Sequence, residues 1–408
     1  MSRALCLCLL MSLSTITTAV TINVPADLPT IQSGINAAKN GDIVVVAPGT
    51  YLENINFLGK AIVVRSSGGA KVTIIDGGGL NSVVTFDSNE GLKSVLRGFT
   101  IQHGDALNEG GGIYIYNASP TVEANIVSNN IAGNGGGGIA VDFSSALVQG
   151  NTVTNNSQTP GNSGGVGGGG IEVGGVGSAQ IIRNVVENNS WASAEGGGIA
   201  LDSAGTPILE NNTVRANVAS DQGSGIYIIN ASNALIIQNL IYNNTLKAGL
   251  INDGEGAGIY MSVPSGNAGP VLVNNTVIGT SAVGSAVYAS GFYDQVQFYN
   301  NLIIGAAGTS ALYCDDSYDK TPPTLTNNDG YSSDGTGIAG ACSSQSNENG
   351  NLSVDPLFAG KVNFHVKAAS PVIGAGDVSA PDLPAKDLGG GPRTLDGKID
   401  MGVYEYPR

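Results

Sequence analysis

One unit of sequence repeats seven times between Glu109 and Ile303, and this repeat constrains the fold more than any other feature. Each unit contains a glycine cluster, a short β-branched run, a turn, and an Asn that begins a second apolar run. Units of this length, with two or three short strands each, bury their apolar faces only by stacking on their neighbours. The repeat therefore predicts an all-β solenoid with one long outer surface. The runs after the glycines begin at Ile113, Ile139, Ile171, Ile199, Ile226, Ile259 and Val287.

Asparagine has a fixed place in every unit. The first set precedes the second apolar run and comprises Asn125, Asn151, Asn184, Asn212, Asn239, Asn275 and Asn301. A second set follows five residues later in five of the units and comprises Asn130, Asn156, Asn189, Asn217 and Asn244. A side-chain amide both donates and accepts, so identical amides on stacked coils can hydrogen-bond along the solenoid. We expect both sets to hold the coils together rather than to bind a ligand.

The chain before the repeats contains the elements that would close one end of such a stack. Ile31, Ile35 and Ala38 have helical spacing, and Asn40-Gly41 is a typical stop signal. We expect this short helix to cap the open end of the sheets. Residues 42–51 are predicted to form a strand followed by a turn, and further strands of less regular first coils are predicted over residues 61–65, 72–75, 83–86 and 94–102.

Composition and charge exclude several classes of function. The 408 residues are 41% hydrophobic, with regular Val and Ile runs, which is too apolar for a disordered chain. The net charge of −15 argues against nucleic acid, whose binding requires clustered Lys and Arg. The same charge disfavours strongly anionic glycans unless a bound cation such as Ca²⁺ intervenes.

Residues 1–19 have the pattern of a secretory signal peptide, with Arg3, an apolar stretch and a small-residue cleavage site. The remaining cysteines, Cys314 and Cys342, form an even pair in what would be an oxidising compartment. A disulfide is therefore expected, the alternative being two free thiols.

The quoted motifs carry a family resemblance. Residues 30–55, the Gly-Gly-Gly-Ile repeats and the Asn-x-Val strands resemble the right-handed parallel β-helix of the pectin-lyase-like superfamily over most of residues 22–305. Asp355-Pro-Leu-Phe, the run from Ser370 to Asp377 and residues 392–406 are similar to the carboxy-terminal part of secreted bacterial proteins called choice-of-anchor Q. The resemblance implies a bacterial origin. We expect a signal peptide at 1–19, the β-helix at 20–308, a disulfide-bearing loop region at 309–350 and the choice-of-anchor Q-like segment at 351–408.

Membership of this superfamily implies a ligand along one outer sheet face, and the strand after the glycines offers the best candidates. Tyrosines recur at its outward positions, and their flat rings suit stacking on the sugar rings of a linear chain. Tyr is also a good strand residue in its own right, so a purely structural role stays open. The candidate substrate-binding residues are Tyr114, Tyr116, Tyr227, Tyr260 and Tyr288.

Three carboxylates, Asp142, Glu172 and Asp202, occupy three successive coils of the same face. Coils lie ~4.8 Å apart, so neighbouring carboxylates would repel and one pKa would rise, as a general acid requires. These three are the candidate catalytic residues. The alternatives are a Ca²⁺ site with oxygen ligands and three solvated surface acids.

Other polar residues carry weaker signals. Glu109, Glu195 and Glu255 precede the glycine clusters and look like turn residues, while His103 and the acidic run 314–319 look like loop features. No Arg or Lys on the proposed face matches the base of a polysaccharide lyase.

The sequence therefore predicts a secreted, monomeric β-helix protein that binds, and in one hypothesis cleaves, an extracellular polysaccharide. As an enzyme it would be a hydrolase or a lyase, with no cofactor required other than optional Ca²⁺. The alternative is a non-catalytic extracellular structural or adhesive protein. No partner of nucleic-acid type and no membrane span is expected.

Overall fold

A computed structural model describes residues 19–159, 167–191, 195–230, 232–247, 256–263, 269–280, 284–291, 295–317, 321–334 and 337–407. Of the predicted signal peptide, residues 1–18 lie outside these ranges and residue 19 lies within them. The described chain winds into stacked coils whose strands pair in parallel with the equivalent strands of the coils before and after. The predicted all-β solenoid is confirmed.

Three long sheets and one short sheet run along the solenoid. Sheet I contains the strands after the glycines: Ile55–Asn56, Val84–Phe86, Ile113–Tyr116, Ile139–Asp142, Ile171–Gly174, Ile199–Asp202, Ile226–Ile229, Ile259–Val263, Val287–Gly291, Leu312–Cys314 and Ile338–Gly340. Sheet II follows the next turn: Thr21–Val24, Ile43–Val46, Val63–Ser66, Val95–Arg97, Thr121–Glu123, Leu147–Gln149, Gln180–Ile182, Ile208–Glu210, Leu235–Ile237, Val271–Val273, Gln297–Tyr299 and Thr324–Thr326.

Sheet III follows the first asparagine of each coil: Gly49–Leu52, Thr73–Asp76, Thr100–Gln102, Ile126–Ser128, Thr152–Thr154, Val185–Glu187, Thr213–Arg215, Leu240–Tyr242, Thr276–Ile278, Leu302–Ile304 and Asp329–Tyr331. The short sheet IV follows the second asparagine: Asp105–Ala106, Ile131–Ala132, Ser157–Gln158, Ser190–Trp191, Val218–Ala219 and Thr245–Leu246. Outside these sheets lie the helix Ile31–Ala37, the 3₁₀ turn Ser343–Gln345 and the antiparallel pair Phe358–Gly360 and Asn363–Val366.

The core is a set of apolar columns inside the coils. All seven predicted strand starts of sheet I are the first residues of their strands, and each is fully buried. Along sheet III, Val127 pairs in register with Val153, which pairs with Val186, and the column continues to Ile303. Side chains alternate inward and outward along a strand, so every second residue of each coil adds to one continuous core.

Both asparagine sets form buried hydrogen-bond ladders, as predicted. In the first, the Asn151 side chain donates to the Asn184 Oδ1 at 3.1 Å, and Asn184 donates to Asn212 at 3.1 Å. In the second, Asn156 donates to Asn189 at 3.0 Å. Each amide nitrogen also donates to a backbone carbonyl of the preceding coil, so no coil can shift alone without breaking several bonds.

The amino-terminal cap forms as expected. Thr30 caps the helix Ile31–Ala37 by accepting from the Ser33 backbone N–H, and Glu53 accepts from the first two helical N–H groups at 2.9 Å. Ile31 and Ile35 are fully buried against the end of the stack. One predicted strand, 94–102, is instead two strands, because Gly98 has φ +81° and turns the chain between sheets II and III.

The solenoid does not end at residue 308, where the sequence repeat fades. Strands Leu312–Cys314 and Ile338–Gly340 extend sheet I, and Thr324–Thr326 and Asp329–Tyr331 extend sheets II and III. The expected loop region therefore contributes another coil, whose apolar strand residues are too few to show a pattern in sequence. The predicted disulfide between Cys314 and Cys342 is present, with Cα atoms 5.6 Å apart.

The last fifty residues turn back and cover the outer face of sheet III. Apolar side chains of this segment pack in two clusters on outward residues of the sheet. Polar side chains at the corners of the coils donate hydrogen bonds to backbone carbonyls of this segment. Asn274 donates to the Asp400 and Gly402 carbonyls at 3.0 and 3.1 Å, and Asn300 donates to the Asp377 carbonyl at 3.1 Å. The fully buried Arg393 pairs with Glu405 at 2.9 Å. This covering removes the coils of sheet III from residue 240 onward from the candidate ligand faces. No helix among the described residues is long and apolar enough to cross a lipid bilayer.

Candidate active site

The outer face of sheet I carries two neighbouring columns of side chains. One column runs through Tyr114, Ala140, Glu172, Ala200 and Tyr227, which pair in strand register from coil to coil, and it continues to Tyr260, Tyr288 and Tyr313. The second column lies two residues further along each strand and contains Tyr116, Asp142, Gly174 and Asp202. All three carboxylates lie where strand alternation predicted them: Glu172 is in the first column, and Asp142 and Asp202 are in the second.

Four tyrosines stack face to face along the first column. Ring centroids of Tyr227 and Tyr260 lie 5.2 Å apart, those of Tyr260 and Tyr288 lie 5.6 Å apart, and those of Tyr288 and Tyr313 lie 5.4 Å apart. Tyr227 and Tyr260 are only 6% and 7% exposed, so the stacking hides much of the ring area that was expected to meet a sugar. Tyr313, which was not among the predicted residues, presents 37% of its surface.

The column of tyrosines is interrupted by two alanines and one carboxylate. Glu172 lies between Ala140 and Ala200, both fully buried, and Gly174 stands beside Asp142 in the next column. A Cβ atom placed on Gly174 would lie 2.5 Å from Asp142 Oδ1 and 2.7 Å from Glu172 Oε1. The missing side chain of Gly174 is therefore what lets the two carboxyl groups approach each other.

Asp142 and Glu172 form a buried, hydrogen-bonded carboxyl pair. Each is 6% exposed. Asp142 Oδ2 and Glu172 Oε2 receive no hydrogen bond from an N–H or hydroxyl group of the described residues. Two carboxylates in contact cannot both be ionised, so at least one proton is shared between them.

Burial determines the protonation of this pair. Loss of solvent raises the pKa of Asp142 to about 8, and the charge of Glu109 adds to the rise. Loss of solvent also raises the pKa of Glu172 well above its usual range, with the charge of Asp142 as the next cause. The hydrogen bond between them lowers the pKa of Asp142 and raises that of Glu172, whereas the hydrogen bond to Glu109 raises the pKa of Asp142.

Glu109 is a member of this site that the sequence analysis assigned to a turn. Its backbone bridges to Gly135 on the neighbouring coil, and its carboxylate is hydrogen-bonded to Asp142. The Tyr114 hydroxyl is close enough to these acids that burial, followed by the charges of Asp142 and Glu109, raises its pKa. Tyr114 therefore remains a hydroxyl donor at any ordinary pH. The position of Glu109 just before a glycine cluster was the only signal available in the sequence.

The third predicted carboxylate, Asp202, has a different setting. Its Oδ1 accepts hydrogen bonds from Asn230 Nδ2 at 2.6 Å and from Ser203 Oγ at 3.1 Å, and the side chain is half-buried. Its charge is the weakest of the causes acting on the pKa of Glu172. The structure thus separates Asp202 from the hydrogen-bonded pair.

The arrangement does not fit a Ca²⁺ ion. Among the residues that the structure describes, no three or more His, Cys, Asp or Glu side chains are grouped so as to hold a metal ion. Ca²⁺ requires six to eight oxygen ligands, mostly ionised or carbonyl, whereas this pair retains its protons near neutral pH. No step of the chemistry below is therefore routed through a metal.

The other polar candidates lie away from the pair. His103 Nδ1 is 2.9 Å from Asp76 Oδ2, and His103 borders a cavity of about 350 Å³ that Asp105 also lines. Burial raises the pKa of Glu195, and Glu255 lies outside the described residues. In the acidic run after Cys314, Asp315 accepts two hydrogen bonds from Ser317, which is local loop chemistry.

The raised pKa values predict how stability responds to pH. In the folded protein the pKa of Asp142 is about 8 and that of Asp329 about 7, whereas a free Asp titrates near 4. A raised folded pKa means that the folded state holds a proton which the unfolded chain has released, so stability falls as pH rises through that window. We expect the melting temperature to decrease from pH 5 to pH 9.

Calorimetry of Asp142→Asn tests this dependence. The variant should melt several degrees above the unmodified protein at pH 9 and close to it at pH 5, because an amide cannot be ionised. Glu348→Gln, at an exposed position, is the matched control and should leave the pH profile unchanged. A wild-type profile that is flat across this range would contradict the buried, protonated pair.

Comparison with known proteins agrees with the fold. The model of a family described as right handed beta helix region matches residues 111–303. The crystal structure of pectate lyase Pel9A superimposes with a TM-score of 0.54 and 16% identity over 92% of this chain and 91% of that chain. The complex of XylC with xylose gives a TM-score of 0.42 and 10% identity over 79% and 56%, and the PL6 family alginate lyase AlyGC gives 0.37 and 14% over 79% and 49%.

These matches define the class of protein. The chain folds as a right-handed parallel β-helix, as its repeats indicated, and this fold is similar to that of pectate lyase Pel9A. No curated protein matches it in sequence. At 16% identity the likeness to the pectate lyase concerns the fold alone, so the chemistry has to be argued from the side chains of this chain.

Proposed function

We propose that the protein is a secreted enzyme that binds polysaccharide along the outer face of sheet I and hydrolyses it with Asp142 and Glu172. The observation that carries the proposal is the buried carboxyl pair with raised pKa values, set in a row of tyrosines on the outside of the solenoid. Strongly perturbed acids beside a ligand-sized surface are typical of catalytic sites. The fold likeness to a pectate lyase supports a polysaccharide as the ligand.

The two carboxyl groups have distinct roles in this reaction. In the proposed reaction Glu172 holds the shared proton and gives it to the glycosidic oxygen as the bond from that oxygen to the anomeric carbon breaks. Ionised Asp142 takes a proton from a water molecule, whose oxygen forms the new bond to the anomeric carbon. Proton transfer across the hydrogen bond between the two groups then restores the starting state. Because the two carboxyls are in contact, the water has to reach Asp142 at Oδ2, which receives no hydrogen bond from another described residue. Inverting glycosidases differ in this respect, since their wider spacing admits the water between the two carboxyls.

Hydrolysis fits the residues better than elimination does. A lyase removes a ring proton with a base and requires a cation to neutralise the adjacent sugar carboxylate. None of the eleven described strands of sheet I contains Lys, Arg or His. Elimination would therefore have neither a basic side chain to remove the ring proton nor a cationic side chain to neutralise the sugar carboxylate on these strands.

A second candidate function is non-catalytic glycan binding, and one observation favours it. Asp142 and Glu172 are each 6% exposed, which would hide them from a sugar unless the surrounding side chains move. In that case the aromatic residues bind the glycan and the carboxyl pair only fills the gap left by Gly174. Extracellular location is supported for either function by the disulfide and the predicted signal peptide. We further propose that the protein acts as a monomer and that the choice-of-anchor Q-like segment at 351–408 belongs to the same folded body.

Incubation of the purified protein with neutral and acidic polysaccharides, with and without Ca²⁺, tests the proposal. We expect new reducing ends from at least one polysaccharide, without the ultraviolet absorbance of unsaturated products. Turnover should increase between pH 6 and pH 8, since Asp142, with a pKa of about 8, must be ionised to accept a proton. Unsaturated products would identify a lyase instead. Retention on an immobilised glycan without any cleavage would establish the non-catalytic alternative.

A further inference from the structure

Phe143, directly after Asp142, is unusually exposed. Its side chain is 53% exposed, although Phe is among the residues most often buried. Its φ of +49° is left-handed, as are those of the residues at the same corner of the neighbouring coils, Asn117, Gly175 and Ser203, so the left-handed backbone belongs to the repeat. A bulky aromatic residue rarely adopts this backbone, so local conformational preference does not explain why Phe occupies the corner.

Neighbouring residues fix the orientation of this ring. A Cβ atom on Gly175 of the next coil would lie 2.7 Å from two ring carbons of Phe143, so the ring lies directly over this glycine. On the other side, Tyr116 meets Phe143 edge to face with centroids 5.9 Å apart. Tyr116 is 39% exposed and is itself stacked on Tyr114 at 6.0 Å. Phe143 and Tyr116 thus form a supported aromatic surface that is open to solvent, which we call the Phe143 platform.

The platform adjoins the carboxyl pair. Tyr116 pairs in register with Asp142, and Phe143 is the next residue in the chain. Neighbouring strands lie about 4.8 Å apart, so a ring bound to the platform sits within one sugar residue of Asp142 and Glu172.

Charge restricts the ligand that this surface can accept. No described strand of sheet I contributes a cationic side chain that could neutralise a sugar carboxylate, and the chain as a whole carries −15. A uronate chain would be repelled here, whereas an uncharged pyranose meets the aromatic face with its C–H groups and the acids with its hydroxyls.

We propose that Phe143 and Tyr116 form a stacking subsite for an uncharged pyranose residue, which positions the adjacent glycosidic bond at Asp142 and Glu172. The inference rests on the function proposed above and adds the substrate class. It differs from the acidic substrates named by the pectate and alginate lyases that share the fold.

Phe143→Gly is the decisive variant, because it separates binding from folding. Glycine adopts φ +49° without strain, so the variant should unfold at or above the wild-type temperature. Leu58→Gly is the matched control, since Leu58 has φ 57° and is 49% exposed but precedes the carboxyl pair by three coils of sheet I. Phe143→Tyr keeps the ring and should behave like the unmodified protein.

Affinity electrophoresis in gels containing xylan, galactomannan, hydroxyethyl cellulose or polygalacturonate gives the readout. We expect at least one neutral glycan to retard the wild type and Leu58→Gly, and Phe143→Gly to bind it at least about tenfold more weakly. Equal retardation of all three proteins would overturn the platform while leaving the proposed function intact. Retardation by polygalacturonate alone would overturn the neutral substrate class. Absence of both binding and cleavage with every glycan would overturn the proposed function as well.

Discussion

Glu172→Gln should reduce turnover of the polysaccharide by about 10²- to 10⁴-fold while the protein remains folded. Glutamine has the shape of the glutamic acid and fits the same space between Gly135 and Gly174. It can still donate a hydrogen bond to Asp142, but it cannot release a proton to the leaving oxygen. The effect should therefore fall on kcat, with KM changed little, because the group acts in the transition state.

Stability measurements distinguish this loss from unfolding. Replacing a buried carboxyl with an amide removes the cost of ionisation, so the variant should melt no lower than the wild type at pH 8. Asp202→Asn provides the comparison, because Asp202 is held by Asn230 and Ser203 outside the pair, and it should reduce kcat by less than tenfold. Full activity in Glu172→Gln would show that the pair does not perform the chemistry. A larger loss in Asp202→Asn would move the acid–base role to that residue.

Asn212→Ala should lower the free energy of unfolding by about 3–5 kcal/mol. The Asn212 side chain donates to the Ile181 carbonyl at 2.7 Å and to Asn239 Oδ1 at 2.9 Å. Its Oδ1 accepts from the backbone N–H and the side chain of Asn184 at 2.9 and 3.1 Å. Alanine removes the partner of the Asn184 backbone N–H, one of the two partners of the Asn184 side-chain amide and the side-chain donor to the Ile181 carbonyl. Each buried group that loses its partner costs about 1–3 kcal/mol.

Denaturant unfolding measures this change. Gln180→Ala is the control, because Gln180 lies on the neighbouring strand with its side chain exposed, and it should change the free energy by less than about 0.5 kcal/mol. If Asn212→Ala cost no more than the control, water would have to replace the lost partners, and the ladder would not hold the coils together. The same comparison at Asn189, in the second ladder, should give a similar loss.

Much of the architecture was predictable because the repeat applies the same local rule in every coil. A glycine cluster followed by alternating apolar residues produced the correct first residue of seven strands in sheet I. The asparagines produced both ladders for the same reason, since one coil's amide can be satisfied only by the next. Where the repeat faded, prediction failed: Leu312–Cys314 and Ile338–Gly340 continue sheet I without a recognisable pattern.

The candidate site was predictable only in part. Strand alternation placed Asp142 and Glu172 on one face, one pleat apart, as observed. It did not reveal that Gly174 opens a space into which both carboxyls turn, or that Asn230 holds Asp202 apart. The roles of Glu109 and Phe143 could not be predicted, because each depends on a contact with a residue of a neighbouring coil. Glu109 is hydrogen-bonded to Asp142, and Phe143 packs against Tyr116.

The division between the two sources of information has a physical basis. Repetition, alternation and the pairing needs of asparagine act over one coil, so the chain alone specified the solenoid, its ladders, its capping helix and its disulfide. Contacts between distant parts of the chain decided the rest. The segment after residue 350 packs on the later coils of sheet III through Asn274, Asn300 and Arg393, and not on sheet I. Burial raises the pKa values of Asp142 and Glu172, and the extent of burial depends on the surrounding residues rather than on the acid itself.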